Sequence, residues 1–364
     1  MIVVAYIIFS FGALRLMVSF INLAFREKPR RGTLYDKPLV SVLIPARNEE
    51  SNIGTLLGDL DEQLYENVEI LVFDDMSEDE TAKVVLSHSE RDKRIRLIRS
   101  EGLPEGWTGK NYACHCLAKE AGGRWLLFLD ADVRISGSII PDMISFAKRH
   151  RLALISIFPK QIMISTGEKI SVPVMNYILL SLLPLVFVRE VMRFPSLSAA
   201  NGQFMFYDTE IYRRVQPHEK LRNKRVEDIA GARMLKRMRH RIACLTGDDS
   251  IKCRMYRDFR EAAEGFSKNI IAYFGNSFFA AILFWFVTTF GFIPVFIYLQ
   301  LWQALAYIGF GFLIRVFVSA ASGQNIAQNL FYAIPQQMAA GFFIIKAIIN
   351  SLKGGYEWKG RSVR

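Results

Sequence analysis

Residues 125–132 constrain the fold of this chain more than any other segment. Residues 125–129 form an uninterrupted apolar run of strand length, and Asp130 and Asp132 follow it directly. Such a run predicts a strand buried on both faces. Two carboxylates at its carboxyl end suit a hard divalent cation held against phosphate oxygens, at the edge where α/β sheets bind ligands. A solvated acidic loop would also fit these residues, so the segment alone leaves both interpretations open.

Two earlier apolar runs predict strands of the same kind. Residues 39–45 form one strand, which we expect Pro45 to end, and residues 68–73 form another, followed by Asp74 and Asp75. A third strand is expected at 95–98, with helices at 53–60, 80–86 and 111–121. Alternating strands and helices predict an α/β fold with a mostly parallel sheet, in which acids from two strands meet at one edge.

The start of the chain predicts a membrane anchor. Residues 1–24 contain one charged residue, Arg15, and are long enough to span a bilayer. We interpret residues 1–25 as a transmembrane helix rather than a cleaved signal peptide, because no basic region precedes the apolar run. The basic residues that follow it are Arg26, Lys28, Arg30 and Arg31. Their position predicts that the N-terminus lies outside and the next domain in the cytoplasm.

The region 270–352 is membrane-like again. Its candidate spans are residues 278–302, residues 304–321 with Arg315, and residues 326–352, which we expect Pro335-Gln336-Gln337 to interrupt. Three spans would leave the basic tail, 353–364, outside, although Lys and Arg favour the cytoplasmic side. We therefore expect two full spans, with the third segment re-entrant or interfacial. The protein is predicted to be a multi-pass protein of the cell membrane.

A weaker apolar segment, residues 170–190, lies inside the polar half of the chain. A full span there would place the rest of the domain on the wrong side of the membrane, so we predict an element that lies in the lipid interface. An ordinary core helix is the alternative.

The net charge of +11 points to an anionic partner. The surplus gathers in one stretch: Arg213, Arg214, Lys220, Arg222, Lys224, Arg225, Arg233, Lys236, Arg237, Arg239 and Arg241. Beside membrane segments, such a cluster favours anionic lipid headgroups over nucleic acid. A solvated helix face is the alternative.

Several other site types lack support in the sequence. The four cysteines lie in the part expected to be cytoplasmic, where thiols stay reduced. Cys114-His115-Cys116 resembles a fragment of a metal site but has no second ligand pair at suitable spacing. Neither a dinucleotide-binding nor a P-loop glycine pattern is present.

Six segments between residues 38 and 269 resemble, in order, motifs of the glycosyltransferase family 2 enzymes with the GT-A fold. They are VSVLIPARNEESNIGTLL, ILVFDDMSEDET, GWTGKNYAC, FLDADV, NGQFMFYDTEIYRRV and VEDIA. The second segment has Met76 where the family usually has glycine. The resemblance implies that residues 36–269 form a nucleotide-sugar-binding domain, with a Rossmann-like sheet flanked by transmembrane helices.

Two later segments narrow the resemblance. CRMYRDFREAAEGFSKN and the terminal YEWKGR are similar to segments of bacterial glycosyltransferases acting on membrane lipids, including diaponeurosporenoate (carotenoid) glycosyltransferases. Ceramide-type enzymes have Gln/Arg-x-x-Arg-Trp here; Arg254 and Arg257 keep this spacing, but Asp258 replaces the tryptophan. Family 2 polysaccharide synthases usually keep that tryptophan and have more spans, so the resemblance favours a single transfer to a lipid.

The resemblance also implies roles for individual residues. Contacts to the nucleotide sugar are expected from Pro45, Arg47, Glu49, Asp75, Lys110, Asp130, Arg254 and Arg257. Among these, Asp75 would accept a hydrogen bond from uracil, which favours a UDP-sugar. Lys110 would add positive charge near the phosphates, although a solvated lysine at a helix start is an equal alternative. Asp130 and Asp132 would hold Mg²⁺ or Mn²⁺ against the diphosphate.

The expected catalytic base is Asp228, with its neighbour Glu227 as the second candidate. The base would take the proton of a lipid hydroxyl or carboxyl as its oxygen attacks the anomeric carbon. A single displacement inverts the configuration at that carbon. A polysaccharide synthase and a non-catalytic membrane scaffold are the alternatives, but a scaffold would be expected to have lost these acids.

Overall fold

The computed structural model describes residues 1–27, 36–224 and 226–352, together with the backbone of 356–358 and 361–363. The strands are β1 (Val40–Ala46), β2 (Val68–Asp74), β3 (Ile95–Arg99), β4 (Trp125–Leu129), β5 (Val133–Ile135), β6 (Leu154–Phe158), β7 (Lys160–Gln161), β8 (Phe204–Asp208), β9 (Ile242–Thr246), β10 (Ile251–Cys253), β11 (Tyr356–Trp358) and β12 (Arg361–Val363).

The helices follow the same order along the chain. They are α1 (Ile2–Ala24), α2 (Ile53–Asp61), α3 (Thr81–Arg91), α4 (Gly109–Glu120), α5 (Ile139–His150), α6 (Thr166–Ser171), α7 (Pro173–Leu182), α8 (Leu185–Glu190), α9 (Thr209–Val215), α10 (Pro217–Lys220), α11 (Glu227–Arg237), α12 (Phe259–Asn269), a 3₁₀ helix (Ile270–Phe274), α13 (Phe278–Phe290), α14 (Phe292–Tyr298), α15 (Leu301–Ala321), α16 (Ile326–Phe331) and α17 (Ala333–Leu352).

Some predicted features lie outside the described residues. They are Lys28, Arg30 and Arg31 of the basic cluster, Arg225, and the side chains of the basic tail 353–364.

A mostly parallel sheet forms the centre of the domain and confirms the predicted α/β fold. Its strand order is β3-β2-β1-β4-β8-β6-β9. β1 pairs in parallel with β2 and β4, and only β8 runs antiparallel to its neighbours, β4 and β6. Every residue of β4 is buried, as the continuous apolar run predicts. The carboxyl ends of β1, β2 and β4 therefore meet at one edge.

The prediction that Pro45 ends the first strand is wrong. Pro45 lies inside β1 and is aligned with Phe73 of β2. β4 pairs with β1 only as far as Leu43, so β1 has a single neighbour at Pro45. A missing backbone N–H is tolerated where a strand has such a free side.

The predicted helices cover the sheet with apolar faces. In α2, the side chains of Ile53, Leu56, Leu57 and Leu60 are fully buried, as their spacing predicts. They pack in a core with β1, β2 and β4. A second core, on the other face, joins α4 to the apolar helices of the C-terminal region.

Two described helices, α1 and α15, are long and apolar enough to cross a membrane, and the count becomes three if one helix pair bent by 97° forms a single span. That pair consists of Phe259–Phe274 and Phe278–Phe290. The apolar helices expected at 1–24 and 304–321 are thus present. The number of spans and their orientation stay predictions.

The candidate span at 278–302 is not one continuous helix, because the chain breaks there into α13, α14 and the start of α15. At the first break, a Cβ on Gly291 would lie 2.8 Å from both Ile8 and Tyr307, so the helix junction packs tightly against α1 and α15. At the second break, Gln300 and Gln303 form a capping box that begins α15 as a new helix.

The interruption expected at Pro335-Gln336-Gln337 is also misplaced. The break falls at Tyr332, between α16 and α17. Pro335 is the third residue of α17, in the first turn, where a missing backbone N–H removes no intrahelical hydrogen bond.

The 170–190 segment folds into the end of α6, α7 and α8. It packs against α1, where the Asn22 amide donates to the carbonyls of Leu180 (2.8 Å) and Leu183 (2.9 Å) and accepts from Leu185 N (2.7 Å). Most α7 side chains are buried. Its location at the lipid interface stays a prediction.

One residue of the predicted basic surface cluster is not at the surface. Lys236 is buried, and its ammonium donates to the carbonyls of Leu197 and Phe187. Burial lowers the pKa of Lys236 to about 8. Lys236 therefore helps to hold α11 against residues 187–197 and cannot contact headgroups.

Candidate active site

The loops that follow β1 and β2 are joined by hydrogen bonds across the sheet edge. Arg47 donates to the backbone carbonyl of Asp75 at 2.6 Å, and the Asn48 N–H donates to Ser77 Oγ at 3.0 Å. The Glu49 N–H donates to Thr81 Oγ1 at 2.8 Å. Three residues predicted to contact the nucleotide sugar thus lie together, and Asp75 is buried.

Met76 occupies a backbone conformation that favours glycine. Its φ is +55°, in the left-handed region that L-residues rarely adopt. This geometry explains why the family pattern has glycine here. The methionine side chain is exposed, so it meets no steric obstacle. The turn therefore forms with methionine, at the cost of some backbone strain.

Lys110 connects two of the predicted acids. Its ammonium lies 2.7 Å from Asp130 Oδ1 and 3.8 Å from Glu227 Oε1. Burial alone would lower the pKa of Lys110, but the charges of Asp130 and Glu227 outweigh burial and raise it above its ordinary value. Lys110 is therefore ion-paired at the start of α4, with 38% of its side chain exposed, and its role near the phosphates stays a prediction.

The start of α4 explains why Lys110 reaches Glu227. The buried Asn111 donates to the carbonyls of Leu221 (2.8 Å) and Lys224 (3.0 Å), in the segment that precedes α11. The Thr108 N–H donates to a third carbonyl, of Arg222, at 2.7 Å. These bonds dock the amino end of α4 beside the amino end of α11.

Glu227 and Asp228 are the first two residues of α11. Asp228 Oδ2 accepts from the Gly202 N–H at 2.9 Å, and Oδ1 accepts from the Ile229 N–H at 2.7 Å. Burial, with the neighbouring Asp228 charge, raises the pKa of Glu227 to about 7. Burial also raises the pKa of Asp228. A base with a pKa near neutrality is well suited to accept a proton.

Gly202 lies at the centre of this group. A Cβ built on it would lie 3.0 Å from Lys110 Nζ, 3.4 Å from Glu227 Oε1 and 3.7 Å from Asp228 Oδ2. The adjacent Gln203 carbonyl accepts from the Asp130 N–H at 3.2 Å. The segment before β8 therefore joins the β4 acids to the acids of α11.

Asp132 is held by side chains from two other segments. Its Oδ2 accepts from Cys253 Sγ (3.3 Å) and from Gln203 Nε2 (3.4 Å). Its Oδ1 is buried and has no hydrogen-bond partner among the described residues. Burial, followed by the Asp130 charge, raises the pKa of Asp132 to about 7. A buried carboxylate oxygen without a partner is costly unless a cation or donor meets it.

The donor set fits one class of metal ion. In the described part of the chain, no cluster of three or more His, Cys, Asp or Glu side chains is placed to hold a metal. Asp130 and Asp132 therefore offer at most two carboxylates. Mg²⁺ and Mn²⁺ accept such sets, completed by water and substrate phosphate oxygens, whereas a structural zinc site needs four protein ligands.

The two predicted phosphate-binding arginines have different partners. Arg254 Nε lies 2.8 Å from Glu168 Oε1, a fully buried carboxylate at the start of α6. Arg257 donates to Ser51 Oγ, in the loop after β1, at 3.1 Å. Arg257 thus lies at the predicted edge, while Arg254 has an acidic partner that the motif did not reveal.

Gly202, Gln203, Cys253 and Glu168 were not predicted as site residues. Gly202 and Gln203 belong to the NGQFMFYDTE segment, whose glycine was an available signal. Cys253 and Glu168 carry no comparable signal, because their roles depend on contacts with distant segments.

Residues 41–216 match the family described as glycosyl transferase family 2. These residues form a glycosyl transferase family 2 domain. The match includes β1, β2, β4 and Lys110, and it ends before Glu227, Asp228, Arg254 and Arg257.

Two relatives share part of their length with this chain. A 4,4'-diaponeurosporenoate glycosyltransferase of Staphylococcus haemolyticus is 26% identical over 67% of this chain and 64% of its own. A UDP-Glc:α-D-GlcNAc-diphosphoundecaprenol β-1,3-glucosyltransferase of Escherichia coli is 38% identical over 27% of this chain and 36% of its own. The chain thus matches less than two thirds of either relative.

A solved structure extends the similarity to the whole fold. A mannosyltransferase of Pyrobaculum calidifontis, in complex with GDP-Man and Mn²⁺, aligns with a TM-score of 0.58 and 17% identity. The alignment covers 96% of this chain and 98% of that one. The predicted GT-A fold, flanked by apolar helices, is confirmed.

Proposed function

We propose that this chain is an inverting glycosyltransferase that moves a sugar from a nucleotide diphosphate to a hydroxyl or carboxyl of a membrane lipid. The observation that carries the proposal is the convergence of Asp132, Asp130, Lys110 and the Glu227–Asp228 pair at one sheet edge. The partnerless Oδ1 of Asp132 supports a bound cation beside it, and the raised pKa of Glu227 supports a base on α11.

The residues divide the chemistry between them. Asp130 and Asp132 hold Mg²⁺ or Mn²⁺, which as a Lewis acid stabilises the diphosphate leaving group. Asp75, Arg47 and Glu49 line the end of the site that binds the nucleotide. Arg257 and Arg254 contact the phosphates. To do so, Arg254 gives up part of its contact with Glu168. Asp228, held by the Gly202 N–H, accepts the proton of the acceptor oxygen, and Glu227 is the alternative base.

The membrane helices supply the second half of the proposal. Exposed apolar side chains are frequent on α1, α13 and α15. They fit a lipid environment, and relatives named for carotenoid and polyprenol-linked acceptors support a lipid acceptor. The basic residues at 213–241, without Lys236, would contact anionic headgroups.

The direct test is sugar transfer in isolated membranes. Membranes containing the chain would be incubated with labelled UDP-glucose, UDP-galactose, UDP-GlcNAc or GDP-mannose, with and without Mn²⁺ or Mg²⁺, and the lipids extracted. We expect metal-dependent label in the lipid fraction with at least one donor. No labelled lipid with any of the four donors would contradict the proposal.

Substitutions test the individual roles in the same assay. Asp132→Asn should lower transfer by about 10² or more, because it removes a metal ligand. Asp228→Asn should lower it by about 10²–10⁴. Glu90→Gln, an exposed acid on α3, is the matched control and should transfer like the wild type. If Asp228→Asn were active and Glu227→Gln inactive, the base would be Glu227.

A further inference from the structure

The membrane helices contain basic residues but no acidic ones. Residues 1–25 and 270–352 include Arg15, Arg315 and Lys346 and no Asp or Glu. α7, which packs against these helices, has no charged residue. Charged side chains in membrane segments are costly and usually mark a functional site.

Both arginines face the same aromatic ring. The guanidinium carbon of Arg15 lies 4.9 Å from the centre of the Tyr177 ring, and that of Arg315 lies 4.6 Å from it. Arg15 is buried and donates to Ser181 Oγ at 3.0 Å. In the described part of the chain, neither arginine has a carboxylate within ion-pair distance, so two like charges share one ring without a counter-ion.

A chain of amides continues from Arg315. Arg315 donates to Gln336 Oε1 at 2.8 Å, and Gln336 Nε2 donates to Asn329 Oδ1 at 3.1 Å. Asn329 Nδ2 in turn donates to Gln324 Oε1 at 2.9 Å. The chain ends at Gln324 Nε2, which is thus a buried hydrogen-bond donor without an acceptor among the described residues.

These side chains line one small cavity. Its polar wall consists of Tyr177, Arg315, Ser319, Gln324, Asn329 and Gln336. The next residue towards α15, Gly323, lies beside Lys160 and Arg26, where the membrane helices meet the polar domain.

We propose that this arginine seam, formed by Arg15, Tyr177, Arg315, Gln324, Asn329 and Gln336, binds the phosphate or carboxylate head of an acidic lipid. An oxyanion in the cavity supplies both a counter-charge for Arg315, which lines the cavity, and an acceptor for Gln324 Nε2. A water molecule would supply only the acceptor. The lipid's acyl chains remain among the exposed apolar side chains of the neighbouring helices. The inference does not depend on sugar transfer.

The test measures lipid binding by the full chain in neutral detergent. Phosphatidylglycerol, oleate, phosphatidylcholine or inorganic phosphate would be titrated, with the unfolding midpoint and native mass spectrometry as readouts. We expect saturable stabilisation and a retained lipid with phosphatidylglycerol or oleate, and neither with phosphatidylcholine. Equal responses to phosphatidylcholine would overturn the proposal, and so would a phosphate response as large as the lipid response, which would indicate a free-anion site.

Gln324→Glu places a carboxylate where the lipid head would lie. We expect affinity for the acidic lipid to fall by about tenfold or more, because a hydrogen bond to a charged group is worth about a decade of affinity. The lipid-free unfolding midpoint should be unchanged or higher, since the new carboxylate balances the arginines.

Lys346→Met, which removes a membrane-region charge outside the seam, is the control and should bind like the wild type. Wild-type lipid affinity in Gln324→Glu would overturn the proposal and assign the binding to the basic surface instead.

Discussion

At the residue scale, the candidate site is a group of charges with one glycine between them. Lys110 lies between Asp130 and Glu227, and the Gly202 N–H fixes Asp228. Because like charges are close and partly buried, each carboxylate depends on Lys110 or on a backbone donor for compensation. Small displacements here should therefore change chemistry more than stability.

Gly202→Ala tests this arrangement. The new Cβ would lie 3.0 Å from Lys110 Nζ, the flexible end of a side chain, so the lysine should move away from Asp130 while the fold persists. We expect sugar transfer to fall by about 10- to 100-fold. The unfolding midpoint should stay close to that of the wild type.

Gly231→Ala, on α11, is the matched control, because its nearest contact would be 3.7 Å away. It should leave transfer unchanged. Equal losses in both variants would show that the effect is not local to Lys110.

Glu227 should make stability depend on pH. Burial raises its pKa from 4.5 to about 7, so the folded state holds this proton more tightly than the unfolded state. The resulting stabilisation is complete below pH about 4.5 and is lost as pH rises through about 7. Between pH 4.5 and 8, the unfolding midpoint of Glu227→Gln should therefore fall less than that of the wild type.

Glu78→Gln, whose side chain is 83% exposed, provides the comparison and should follow the wild-type curve. Parallel curves for the wild type and Glu227→Gln would contradict the assigned pKa.

At the scale of elements, short connections position the site more than the sheet does. The docking of α4 on residues 221–224 brings Lys110 to α11, and α6 fixes Arg254 through Glu168. Glu168 also accepts from the N–H groups of Ile164 and Ser165, so one buried carboxylate caps α6 and holds the arginine.

Glu168→Gln should destabilise the chain more than Arg254→Gln. The first change weakens the cap of α6 and leaves Arg254 without its partner, and we expect a loss of about 1–2 kcal/mol. The Arg254 side chain is 37% exposed, so its removal should cost less than about 1 kcal/mol. Denaturant unfolding of both variants would measure the difference, and the reverse order would contradict the capping role.

At the scale of the whole molecule, α1 and α15 run in the same direction and end at the polar domain. Residues further along α1 contact residues further along α15: Phe9 lies against Phe310, and Phe20 lies against Phe317. Beyond α1, Arg26 donates to the Ala320 carbonyl at the end of α15 and to Gly247 of the domain. Both helices therefore approach the domain from the same side.

The predicted orientation places the N-terminus outside and the domain in the cytoplasm. In intact cells, an N-terminal tag should be cleaved by added protease. With Cys116→Ser as background, Glu90→Cys on α3 should react with an impermeant maleimide only after permeabilisation. Labelling of Glu90→Cys in intact cells would reverse the orientation.

Local patterns in the sequence sufficed for β1 to β4, for α2 to α4 and for the acids at the sheet edge, but not for β6, β8 and β9. The apolar run of β4 predicts a strand that is buried on both faces. The spacing of Ile53, Leu56, Leu57 and Leu60 matches the side-chain period of a helix with one buried face. Such features depend on neighbours along the chain, so one sequence can reveal them. Residue roles also followed from motif resemblance, but only where a motif exists.

Only the tertiary structure decided which distant residues meet. The contacts of Lys110 with Glu227, of Cys253 with Asp132 and of Arg254 with Glu168 join separate elements, and no local period reports them. The same holds for the helix breaks near Gly291 and Tyr332, which depend on packing and capping rather than on apolar content. The sequence by itself determined the sheet edge and its acids; the packing of helices around that edge determined the charge group and the arginine seam.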